Sequence, residues 1–206
     1  MKKKQIDLFF QELNSELGIN AEIILLGASA GSLMGHIRPS VDIDFEIRAK
    51  RASRAAAKER IRQGVLNVSH KLGVAVNFSD NVAHWSMIDY LDYRRTATPY
   101  KKIGHLNVKL IAPEYWTIGK MTRFLELDIR DIIKIIKIKK IPHLKLVQLW
   151  ARALKASDLS LELGQFRQHV EFFLKKYGHR VWGQRFDAEK AVNLFQKLAG
   201  LEREAE

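Results

Sequence analysis

Two aspartates one residue apart, Asp42 and Asp44, follow a glycine turn, Gly27-Ala28-Ser29, and have the types and spacing that suit chemistry. In an extended strand side chains alternate between faces, so Asp42 and Asp44 are expected on one side and Val41, Ile43 and Phe45 on the other. Neighbouring carboxylates repel each other and stabilise nothing by themselves. A divalent cation held between them removes the repulsion. Mg²⁺, or Mn²⁺ in its stead, is the usual choice where carboxylates and substrate phosphates share a coordination sphere. The pair alone also fits the polar face of an ordinary half-buried strand, and the turn before it makes the difference.

Ile23, Ile24, Leu25 and Leu26 form a short apolar run that reads as a buried strand ending at Gly27. Residues 28–34 then suit a short helix that Gly35 stops. Backbone N–H groups at such a strand-to-helix turn can hold phosphate oxygens, and the Ser29 hydroxyl could add a contact. The plainer alternative is a tight turn without a ligand, with Ser29 as a helix cap.

The string Gly27-Ala28-Ser29, twelve residues, then Asp42-Ile43-Asp44 resembles the signature of DNA polymerase β-type nucleotidyltransferases. Within that superfamily, Gly27-Ala28-Ser29-Ala30 and Arg38-x-Ser40-x-Asp42-Ile43-Asp44-Phe45 are more similar to the branch containing AbiEii-type toxins. That branch also carries a downstream lysine and an Arg-Asp pair on a helix, which compare with Lys120 and Arg130-Asp131. The resemblance spans roughly residues 20–140.

It implies an α+β fold, with a nucleotidyltransferase-like mixed sheet flanked by helices in residues 1–112 and a helical subdomain in 113–206. Asp42 and Asp44 would hold Mg²⁺. Gly27, Ala28, Ser29, Arg38, Ser40, Lys120 and Asp131 would bind nucleotide, and Lys120 would neutralise charge on departing pyrophosphate. The implied reaction moves an NMP from an NTP to a hydroxyl on RNA, such as tRNA, or on protein. The implied context is a toxin paired with an antitoxin.

Enzymes of this type commonly use a third carboxylate on a later strand. Here the expected strand 74–78 carries Asn77, and 106–111 carries Asn107 and Lys109. Asp80, just beyond the first, and Glu46, on the face of the aspartate pair, are the candidate substitutes. Without one, a catalytically degenerate nucleotide- or nucleic-acid-binding protein is the alternative.

Composition sets wider bounds. The 206 residues, 47% hydrophobic, are enough to bury a core without covalent staples. Cysteine is absent, which excludes disulfides and thiolate zinc sites, and the seven histidines form no HExxH pair. No apolar run is long enough to span a membrane, so the expectation is no membrane partner and a cytoplasmic location. Thirty-five Lys and Arg against 23 Asp and Glu give a net charge of +12, which suits polyanionic partners or simply a well-solvated surface. The basic residues concentrate at 48–62, 94–109 and 134–145.

The surrounding elements follow from periodicity. Ile6, Phe9, Phe10, Leu13 and Leu17 predict an opening helix stopped by Gly18. Residues 51–71 predict a second, capped by Ser53, before the strand 74–78. Residues 79–98 are ambiguous, and Trp85, Tyr90 and Tyr93 beside Arg94 and Arg95 suit either base stacking or a core. Met121, Leu125, Ile129, Ile132 and Ile136 mark an apolar stripe within 114–140, which forms one long or two consecutive helices. Further helices are expected over 142–154, 161–176 and 187–198, with Gly178 and Gly183 between the last two. A cleft between the two subdomains is the expected nucleotide site. On a continuous helix Lys120 and Asp131 would share one face, either toward a triphosphate or as part of a solvated strip with Arg123 and Asp128.

Overall fold

A computed structural model describes residues 1–35, 37–49 and 55–201. Ser53, expected as a helix cap, and His36 lie outside them. The chain is an α+β protein that divides into two compact units. The first comprises Met1–Val82 and Arg94–Ala112; the second comprises Ala83–Tyr93 and Pro113–Glu206.

The α/β unit begins with helix α1 (Lys3–Leu17), whose buried residues are the predicted Ile6, Phe9, Phe10, Leu13 and Leu17. Gly18 ends it in the left-handed conformation, at φ 59°. Strand β1 (Ala21–Leu25), helix α2 (Gly27–Gly35), strand β2 (Asp42–Ala49), helix α3 (Ala55–Leu72) and strand β3 (Ala75–Ser79) follow. A 3₁₀ turn at Val82–Trp85 and the short helix α4 (Tyr93–Thr96) lead to β4 (Thr98–Ile103) and β5 (Leu106–Leu110). The strands form one mixed sheet in the order β3-β2-β1-β5-β4. β2 runs antiparallel to β1 and parallel to β3, whereas β1 and β5 are parallel.

Core packing pins β2 in register. Phe45 is fully buried and meets Phe9 and Phe10 of α1 edge-on, with ring centroids 5.9 and 5.5 Å away. It also stacks on Phe78 of β3 at 5.7 Å. A one-residue slip would move this ring to the other face, so the aromatic cluster also decides where Asp42 and Asp44 point. Strand β4 has no counterpart among the predicted elements, because Thr-Pro-Tyr-Lys-Lys-Ile lacks apolar alternation. As an edge strand it buries only Ile103, and its proline and lysines suit an edge.

The helical unit contains α5 (Pro113–Arg123), α6 (Glu126–Lys139), α7 (His143–Ala156), α8 (Leu161–Trp182) and α9 (Ala188–Ala199). The stretch 114–140 is two helices, broken where Phe124 adopts φ 52°. Leu125, expected in the buried stripe, is the N-cap of α6 and 62% exposed. Gly178 interrupts nothing. Helix α8 runs through it to Trp182, and a Cβ there would come 2.0 Å from the Phe186 ring, so close packing accounts for this glycine.

Residues 83–93 belong to this unit rather than to the expected 1–112. Tyr90 lies against Gly119, the Tyr115 hydroxyl donates to Asp92 at 2.8 Å, and the Asp89 amide donates to Ser157 Oγ at 2.8 Å. Tyr93 is buried and packs edge-on against Tyr90, which makes it core. No helix among the described residues is long and apolar enough to cross a membrane.

Candidate active site

Strand alternation positions the acidic pair. Asp42 and Asp44 are half-buried on one face of β2, while Ile43 and Phe45 are fully buried on the other. Val41 departs from the expected pattern because it precedes the strand, and it is 85% exposed. Parallel pairing sets Asn77 of β3 beside Asp44. From there the Asn77 Nδ2 donates to Asp42 Oδ2 and to Asp44 Oδ1, each at 2.9 Å. The two carboxylates therefore converge on a single point, and a neutral amide bridges them. Two acceptors facing one donor group is the arrangement that relieves their mutual repulsion without a charge.

The glycine turn closes against the same pair. Antiparallel pairing of β1 and β2 brings the Leu26 amide to the Asp44 carbonyl at 2.9 Å, so Gly27 arrives alongside the Asp44 side chain. Gly27 has φ 52°, and a Cβ on it would sit 1.7 Å from Asp44 Oδ2. Only glycine satisfies both the backbone and the space. Helix α2 begins at this residue, so its positive N-terminal end lies against the Asp44 carboxylate.

The other residues implied at this site fall into two groups. Ser29 is fully buried, donates its proton to the Leu26 carbonyl at 2.9 Å and accepts from the Asp44 amide at 3.4 Å. Its hydroxyl ties the turn to β2, in keeping with the capping alternative rather than a phosphate contact. Ser40, also buried, donates to the Asp42 carbonyl at 2.6 Å with Asp42 Oδ1 3.1 Å away, and so orients the aspartate. Ala28 is largely buried behind Gly27. Arg38 lines a separate cavity of about 650 Å³ with Lys2, Lys3, Lys4 and Ser32.

Neither substitute for a third acid is at liberty. Glu46 is 1% exposed; it accepts from Arg94 at 2.7 and 2.9 Å and from the Val82 amide at 3.1 Å. Asp80 is paired with Lys58 at 2.6 Å. Asn77 stands where the extra carboxylate was sought. The sequence signal was present, a polar residue in mid-strand, yet the strand pairing that brings it to Asp44 is a tertiary fact.

Lys120 and Asp131 have a different setting, in the helical unit. The Lys120 ammonium is 2.8 Å from Asp128 Oδ1, 2.8 Å from Asp131 Oδ2 and 5.0 Å from the centroid of the Trp116 ring. Lys120, Asp128 and Asp131 are 2%, 1% and 4% exposed, so they form no solvated strip. Lys120 is committed to two carboxylates, and a phosphate would have to compete with both. Asp128, in the first turn of α6, also accepts from Arg123 at 2.8 Å. Burial pushes its carboxyl upward, but the hydrogen bonds and charges of Lys120 and Arg123 outweigh this and hold it below the usual carboxylate range.

Among the described residues no group of three or more His, Cys, Asp or Glu side chains is arranged to hold a metal. The acidic site is thus a pair completed by an amide. Comparison of the chain with models of known protein families, with curated proteins and with solved structures finds no match.

Proposed function

We propose that this protein is a divalent-cation-dependent nucleotidyltransferase that transfers an NMP from an NTP to a hydroxyl of RNA or protein. One observation carries the reading: Asp42 Oδ2 and Asp44 Oδ1 converge on one point, 2.9 Å from the same nitrogen, beside a glycine whose missing Cβ leaves Asp44 room. The donor set fits Mg²⁺ or Mn²⁺, which take hard carboxylate oxygens and leave positions for water and phosphate. Asp42 and Asp44 would hold the ion, and the ion, when bound, neutralises phosphate charge and acts as a Lewis acid.

The chain's own residues do the positioning. Ser40 orients Asp42, Ser29 fastens the turn to the Asp44 amide, and Gly27 keeps the approach to Asp44 unobstructed. The N-terminal end of α2 favours negative charge at that approach. The net charge of +12, with Lys2, Lys3, Lys4 and Arg38 around one cavity, suits an NTP and an RNA acceptor. Lys120 and Asp131 are given a structural role in this reading, and the toxin–antitoxin context stays part of the proposal.

Asn77 in place of a third acid favours a second reading, a degenerate member of the same class that binds nucleotide or nucleic acid without catalysis. Incubation with each labelled NTP, Mg²⁺ and total RNA or protein separates the two. Label transfer by the wild type that disappears in Asp42→Ala/Asp44→Ala is the expected result. Salt-sensitive RNA binding that survives the double substitution, with no transfer from any NTP, would leave the second reading.

A further inference from the structure

The side chain of Asn77 makes both of its hydrogen bonds through Nδ2, and both go to the acidic pair. A carboxamide has a second face. Rotation by half a turn about its last bond exchanges Nδ2 for Oδ1 with almost no change in shape. While the carboxylates face each other alone, the donor nitrogen is favoured between them. Once a cation takes the point on which they converge, an N–H hydrogen would be repelled and a carbonyl oxygen attracted.

From this geometry we infer that Asn77 is the third ligand of the cation site and that it turns its carboxamide over when the ion enters. The inference rests on the nucleotidyltransferase reading and extends it to one residue of this chain. Carboxamide carbonyls are ordinary ligands for hard cations. Asn77 is exposed on β3, which leaves its side chain room to rotate. Glu46 and Asp80 are held by Arg94 and Lys58, so within this sheet Asn77 is the oxygen source aimed at the pair. Three oxygens carrying two charges are neutralised by one divalent ion. An aspartate at 77 would leave an extra negative charge and strengthen cation binding.

Two measurements test this on the full chain. Mn²⁺ binding, followed by electron paramagnetic resonance, is compared in the wild type, Asn77→Leu, Asn77→Asp and Asp42→Ala/Asp44→Ala. The expected order is tightest binding by Asn77→Asp, about tenfold weaker binding by Asn77→Leu than by the wild type, and loss of the site in the double variant. Separately, the ¹⁵N-labelled side-chain amide of Asn77 in the wild type is followed during addition of Mg²⁺. Its protons should shift and lose protection from exchange, because both donor bonds end when the group turns.

Binding by Asn77→Leu equal to or tighter than the wild type overturns the inference, since the amide would then be only a bridge that the ion displaces. The nucleotidyltransferase reading survives that result. Unchanged Asn77 amide signals at saturating Mg²⁺ also overturn the inference, and this needs no variant to fold. Absence of Mn²⁺ binding dependent on Asp42 and Asp44 in the wild type sinks both.

Discussion

Each unit of this protein brings two aspartates to one amino group, and the two arrangements have opposite energetics. In the sheet, Asp42 and Asp44 are half-buried and share the neutral Asn77 amide. In the helical unit, Asp128 and Asp131 are buried and share the Lys120 ammonium. The buried set is complete, because its cation is supplied by the chain and its removal would strand charge in a low-dielectric interior. The half-buried set is left with excess negative charge, which a bridging amide softens without cancelling. A protein holds together through the first kind of site and keeps the second kind available for a ligand.

The contrast predicts a steep difference in stability effects. Lys120→Met should cost about 3–5 kcal/mol, the usual penalty for deleting one partner of a buried ion pair, measured by denaturant unfolding. A loss below 1 kcal/mol would mean that the buried network is dispensable. Gly27→Ala comes next: the left-handed backbone alone costs about 1–3 kcal/mol for a residue with a side chain. The Cβ must also displace the Asp44 carboxylate, so cation binding should fall with stability. Unaltered Mn²⁺ affinity in this variant would separate the turn from the acidic site.

Acid is a gentler probe. The Asp128 carboxyl titrates lower when folded than its ordinary value of 3.8. Its contribution is therefore complete above that value and is lost as pH falls through it toward the depressed folded one. Stability should decline below about pH 4, and Asp128→Asn, less stable at neutral pH, should show a shallower decline in thermal melts across that range. An equally steep decline in that variant would place the acid sensitivity elsewhere. The smallest effect is expected at the sheet: Asp42→Asn should change stability by no more than about 0.5 kcal/mol, or raise it, because like-charge repulsion is relieved. A large loss there would make the pair structural and erase the contrast.

Legibility followed the same divide. The stripe Ile6, Phe9, Phe10, Leu13 and Leu17, the alternation around Asp42 and Asp44, and the Gly27 turn are local patterns, and periodicity carries them. Strand β4 escaped because an edge strand needs no apolar alternation, and Gly178 misled because a helix tolerates glycine where a ring such as Phe186 packs against it. Lys120 was legible as a residue near acids on a helix but not as a buried one. The break at Phe124 turns α6 back so that Asp128 and Asp131 close over the ammonium, and helix-face arithmetic on a continuous helix does not foresee this.

Sequence by itself determined which residues alternate, where helices cap and stop, that two acids share a face, and that the chain is strongly basic, since all of these depend on near neighbours or on totals. Tertiary structure alone decided that Asn77 meets both acids, that Glu46 and Asp80 are taken by Arg94 and Lys58, and that Gly27 lies against Asp44. The physical reason is distance along the chain. Asn77 and Asp44 are brought together by strand pairing across an intervening helix, and no local propensity encodes the register in which two such strands meet.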